Sequence, residues 1–122
     1  MNYMLLIYGD EQRRGSMTDQ ERDQMFAEYG AFTQELQDKG VFVAGDPLQP
    51  TTTATSVRVR DGEQLTTDGP FAETKEQLGG YYLIDVDSLD EALAWAAKVP
   101  SARLGTIEVR PVLQMPAEVG AS

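Results

Sequence analysis

An α+β fold is what the sequence predicts, because strand-like and helix-like patterning alternate along one short chain. Two stretches, residues 3–8 and 81–86, are apolar on both alternating faces and read as central strands covered on both sides. Two others repeat apolar residues at helical spacing, each opened by a Thr or Ser three residues ahead of a glutamate. Between these pairs Asp61-Gly62 follows a β-branched run, the signature of a tight hairpin.

The first strand, Tyr3-Met4-Leu5-Leu6-Ile7-Tyr8, ends at Gly9. Thr18 and Glu21 then have capping-box spacing, and Met25, Tyr29, Phe32 and Leu36 recur at helical intervals until Lys39-Gly40 supplies a stop. A helix is expected over residues 19–39, with that stripe as its core face. Val41-Phe42-Val43-Ala44-Gly45 enters a second strand that Asp46-Pro47 is expected to break. Residues 53–60 alternate Val57 and Val59 with Arg58 and Arg60, a strand with one wet face, and residues 64–67 return after the turn. Gly79-Gly80 introduces the strand at 81–86. Ser88 and Glu91 form a second capping box, and Leu89, Ala92, Leu93, Ala96 and Val99 run helically to Pro100, so a helix is expected over residues 89–98. Residues 106–112 make the last strand. From Gln114 periodicity ceases, which divides the chain into one domain, residues 1–113, and a loose tail, residues 114–122.

Strand, long helix, strand, hairpin insertion, strand, helix, strand is the order of a ferredoxin-like split βαβ fold, with both helices on one face of an antiparallel sheet. The other face stays bare on a monomer, although the strands at 3–8 and 81–86 carry apolar residues there. A homodimer closed through that face is the expected remedy.

Composition removes several classes of function. The 122 residues contain no cysteine and no histidine, so disulfides, thiolate nucleophiles, sulfur-bound metals and the usual neutral-pH proton shuttle are all absent. Asp85, Asp87, Asp90 and Glu91 lack the turn glycine of a calcium loop and lie where a helix starts, so no metal is expected there, and no cofactor is expected either. Gly79-Gly80 lacks the spacing of a phosphate loop. A formal net charge of −10 opposes nucleic acid and anionic membrane surfaces as partners. The N-terminus has no basic leader and no stretch approaches the length needed to span a bilayer, so a cytoplasmic address is expected.

The stretch Thr67-Asp68-Gly69-Pro70-Phe71-Ala72-Glu73-Thr74-Lys75-Glu76, followed by Gly79-Gly80-Tyr81-Tyr82, resembles the signature of the DGPF branch of the YCII-related family. Tyr3-Met4-Leu5-Leu6-Ile7-Tyr8 and Glu108-Val109-Arg110-Pro111-Val112 are similar to that family as well. The resemblance implies a dimeric α+β barrel of two ferredoxin-like sheets, in a bacterial protein often encoded beside extracytoplasmic-function sigma factors. It implies no known reaction. Relatives that look like candidate enzymes carry a His and Asp pair, whereas this chain has no His; with Gly40 as anchor, Tyr29 takes the corresponding place.

Asp68, ahead of Gly-Pro, is a candidate general base or oxyanion, with Glu73, Lys75 and Glu76 as charged neighbours; its plainer role is a turn or cap acceptor for the segment from Pro70. Lys75 either pairs with a neighbouring glutamate at the surface or neutralises an anionic ligand. Arg110, like Arg58 and Arg60, is a candidate anion clamp or an exposed arginine. Trp95 is expected in the core or an interface. Two functions stand open: a binding module for a small molecule or a protein of a sigma-factor pathway, and a small-molecule enzyme that uses Asp68 and Tyr29 for acid–base chemistry.

Overall fold

The computed structural model describes residues 1–116. Its elements are β1 (Asn2–Gly9), α1 (Glu11–Gly15), α2 (Asp19–Asp38), β2 (Phe42–Pro47), β3 (Thr55–Arg60), β4 (Glu63–Asp68), β5 (Gln77–Asp85), α3 (Leu89–Lys98) and β6 (Thr106–Pro111). Short 3-10 turns lie at Thr51–Thr53 and Pro100–Arg103. The fold is therefore mixed α+β with antiparallel sheets. A four-stranded sheet runs in the order β2-β5-β1-β6, and β3 and β4 pair with each other as a separate ribbon.

β1 and β5 occupy the two central positions, as their two-faced apolar patterning requires. Period-two alternation sends Tyr3, Leu5 and Ile7 of β1 inward, with Tyr82 and Ile84 of β5 as their cross-strand neighbours, while Met4, Leu6 and Leu83 face the opposite side and are half-buried. The buried residues form one cluster in which Phe32 and Leu36 of α2 and Ala92 and Ala96 of α3 close over the sheet. Phe32 is its hinge pin: its ring meets Tyr82 edge-on at 5.2 Å and Trp95 edge-on at 6.2 Å. The first capping box forms as expected and the second only in part, since Glu91 accepts from the Asp87 amide and not from that of Ser88. Thr18 and Glu21 make the reciprocal capping box, and Ser88 Oγ accepts from the Glu91 amide.

Several elements depart from the sequence expectation, each for a local reason. Residues 11–15 form a helical turn that is too short for periodicity to reveal; the Asp10 carboxylate caps it by accepting from the Gln12 amide at 2.9 Å. Pro47 does not break β2, because β2 is an edge strand and a proline there forfeits no ladder bond on its open side. β5 begins at Gln77, so Gly79 and Gly80 lie inside the strand rather than ahead of it. The β3–β4 ribbon is wet on both faces, Val57 and Val59 being 58% and 60% exposed, since none of its strands pairs with the main sheet. The tail expected from Gln114 falls in part on residues 117–122, which lie outside the described residues.

Leu36 is fully buried under the sheet, and truncation leaves a cavity that the strands cannot collapse into. Leu36→Ala is expected to lower stability by about 2–5 kcal/mol, read as an early denaturation midpoint. A loss below about 1 kcal/mol would show that α2 is not what holds the core shut.

Candidate functional site

The helical stripe of α2 divides into two halves with different neighbours. Phe32 and Leu36 enter the core, whereas Tyr29 and Met25, one and two turns earlier, are half-buried and line a cavity of about 530 Å³, Tyr29 at the core's margin. That cavity lies between α1, α2 and the ends of β1, β2 and β5. Its wall is largely apolar, from Ile7, Met17, Met25, Phe26 and Phe42, with a few convergent polar groups.

Two hydroxyl pairs are set into that wall. Tyr29 and Ser101 share a hydrogen bond of 2.6 Å, and Thr33 and Tyr82 share one of 2.7 Å. The first ties α2 to the 3-10 turn ahead of β6, and the second ties it to β5, so the phenols are held by elements on both sides. Burial pushes the Tyr29 phenol above its ordinary pKa against the Ser101 hydrogen bond, and burial likewise pushes Tyr82 up against that of Thr33. Both phenols therefore keep their protons at neutral pH. They donate or accept hydrogen bonds, but neither is a base.

Charge enters from α1. Asp10, Arg13 and Arg14 line the cavity, as does Asp46 of β2, whose Oδ2 accepts from the Tyr81 hydroxyl at 2.9 Å. The Asp46 carboxylate raises the Tyr81 pKa by that hydrogen bond. Arg13 is committed to the fold, donating to the Leu104 carbonyl at 3.3 Å. Arg14 lies across the backbone of Gly79, its Nη1 2.7 Å from where a β-carbon would stand, at the free end of a side chain that can shift.

The residues singled out from sequence are not brought together. Tyr29 lines the cavity, and Asp68 does not. Asp68 closes the β3–β4 ribbon opposite Thr55, is exposed, and accepts no hydrogen bond among the described residues. No helix starts at Pro70 for it to cap. The turn is held instead by backbone: Gly69 donates to the Ala54 carbonyl at 2.7 Å, Ser56 Oγ donates to the Gly69 carbonyl, and Gly69 has φ +98°, which explains glycine at this place in the motif. Phe71 is 77% exposed with the Arg58 guanidinium over its ring. Glu73 and Lys75 are exposed, and the expected surface pair of Lys75 with a glutamate does not form among the described residues. Glu76 accepts from Thr106 Oγ1 at 2.8 Å, and Arg110 pairs with Glu108, which also accepts from Tyr8. Arg14, Thr33 and Ser101 escaped the sequence analysis; no motif marks them, and only the helical spacing of Tyr29 and Thr33 placed those two on one face. Among the described residues no cluster of carboxylates is arranged to hold a metal ion, and no helix is long and apolar enough to cross a membrane.

The family model described as the YCII-related domain matches residues 1–116. An uncharacterised protein of Rhizobium meliloti (strain 1021) is 40% identical over 122 residues, covering 98% of each chain.

One contact at the cavity's margin titrates. The Glu11 carboxylate accepts from the Thr51 hydroxyl and, with both oxygens, from the Thr51 amide at 2.9 and 3.0 Å, clamping α1 to the connection that leads into the ribbon. Those hydrogen bonds, the hydroxyl first, hold the Glu11 pKa below its ordinary 4.5. A depressed carboxyl pKa contributes stability that is present above the unfolded value and lost as pH falls through the folded one. Melting temperature is expected to fall between about pH 5 and pH 3 by less in Glu11→Gln than in the parent; identical acid profiles would remove the clamp from the account.

Proposed function

The chain belongs to the YCII-related domain family, and we propose that it is a small-molecule-binding protein whose ligand occupies the cavity under the first half of α2. What carries this proposal is the cavity itself: an apolar enclosure of useful size with two fixed phenol–hydroxyl pairs aimed along its wall. The link to sigma-factor regulation, and the cytoplasmic address, belong to the resemblance and to composition. Ligand binding is the part that the geometry supports.

The alternative is an enzyme using Asp68 and Tyr29, favoured by the place of Tyr29 in the cavity. Within one protomer these two residues do not share a cavity, and a protonated phenol supplies an acid without a base. Binding is the stronger proposal for that reason. The finer fold belongs here as well: the order β2-β5-β1-β6 reads as a ferredoxin-like sheet with a hairpin insertion, and the half-buried Met4, Leu6 and Leu83 on its uncovered face support closure against a second copy as a barrel.

Gly30 on α2 faces the cavity with open space where a side chain would begin. A ligand-observed fragment screen on the parent is expected to give hits that Gly30→Trp abolishes while its melt stays within a few degrees. Hits retained by the blocked variant would place binding elsewhere and sink the proposal. Light scattering at micromolar concentration is expected to give a dimer mass, and Leu6→Glu a monomer; a monomeric parent would end the barrel.

A further inference from the structure

We infer that the ligand of this cavity is a small organic monoanion, a carboxylate on an apolar body, and that Arg14 receives its charge. This rests on the binding proposal above and adds the chemistry of what is bound.

Of the ten basic side chains four are paired with carboxylates among the described residues, and of the rest only Arg13 and Arg14 line the cavity. Arg22, Lys98, Arg103 and Arg110 are each paired with a glutamate or aspartate, and Arg58 sits on the Phe71 ring. The Arg14 side chain makes neither an ion pair nor a hydrogen bond among the described residues, although its charge helps to lower the pKa of the nearby Glu11. The side chain is partly in solvent, and its guanidinium lies over the backbone of Gly79 at the cavity wall, where a ligand in the cavity can reach it. Its planar fork matches a carboxylate with two parallel N–H bonds.

The rest of the wall limits the charge and the shape of the ligand. Asp10 and Asp46 also line the cavity, but each already accepts a hydrogen bond, from the Gln12 amide and the Tyr81 hydroxyl, and the two guanidiniums of Arg13 and Arg14 offset their charge. That balance suits a single negative charge and opposes a di- or triphosphate, which needs several cations. Ile7, Met25, Phe26 and Phe42 offer apolar surface for the remainder of the molecule, and the protonated Tyr29 and Tyr82 hydroxyls offer it one or two further hydrogen bonds.

Benzoate, its neutral counterpart benzamide, and inorganic phosphate are the probes, titrated into the isotope-labelled parent protein with amide shifts as readout. Benzoate is expected to shift cavity amides, among them Gly30 and Gly79, and to saturate at a concentration about tenfold or more below benzamide. Arg14→Gln should erase that difference, and Lys39→Gln, an exposed cation outside the cavity, should preserve it. Equal saturation by benzoate and benzamide in the parent overturns the anion assignment while the cavity remains a binding site, and this comparison does not depend on any variant folding. Phosphate saturating below benzoate overturns the carboxylate class. Silence of the cavity amides toward all three probes overturns this inference, and retention of the fragment hits by Gly30→Trp separately decides whether the binding proposal falls with it.

Discussion

Strands β1 and β5 lie side by side in the middle of the four-stranded sheet, flanked by β6 and β2, so their backbone groups are spent on the ladder and their side chains must be satisfied on both faces. One face is provided for within the chain, by α2 and α3 closing over Tyr3, Leu5, Tyr82 and Ile84. The rest of the molecule follows from that closure. α3 is short, ending at Lys98, and α2 is twice as long, so that its second half packs on the core while its first half lines the cavity. There Met25 and Tyr29 stand off from Ile7, Phe42 and Tyr82 across the cavity instead of closing on them.

Much of the fold was legible because it is written in periods. Two-faced apolar runs gave the central strands, and Thr18 with Glu21 and Ser88 with Glu91 gave the helix starts to the residue. What escaped was written in contacts instead. The helical turn at residues 11–15 has no period to display, and the endurance of β2 through Pro47 depends on its being an edge strand, which no local pattern states. The site was harder still. The motif around Asp68 is dense in turn residues because it closes a ribbon, through Gly69 and Ala54, while the wall of the cavity is assembled from α1, α2, β5 and the turn before β6. Met25 and Tyr29 looked like core because the stripe that contains them is continuous in sequence with Phe32 and Leu36. What separates the two pairs is that Phe32 and Leu36 are buried against the sheet and α3, whereas the other two face the cavity.

Electrostatics on this protein is local rather than global. The overall charge of −10 describes the surface that solvent meets, but the phenols of Tyr29 and Tyr82 respond to burial before any charge, and Tyr81 responds to one aspartate. Within the cavity the sign of the potential is set by a handful of residues on α1 and β2 at close range. α1 thus has two attachments that matter: Glu11 fastens it to Thr51, and Arg14 lies on Gly79. A five-residue helix that contributes no buried residue to the core nevertheless fixes the geometry of the wall.

The ladder of the main sheet slips twice. Ile7 pairs with Gly80 but Tyr8 with Leu78, leaving Gly79 over, and Phe42 pairs with Ile84 but Ala44 with Leu83, leaving Val43 over. Each extra residue reverses inside and outside for everything beyond it. β2 and β5 therefore carry a reading frame in the literal sense: loss or gain of one residue in either strand would turn its remaining side chains to the wrong face. The β3–β4 ribbon stands outside that ladder, so a change in its length leaves the facing of every side chain in the cavity wall as it was.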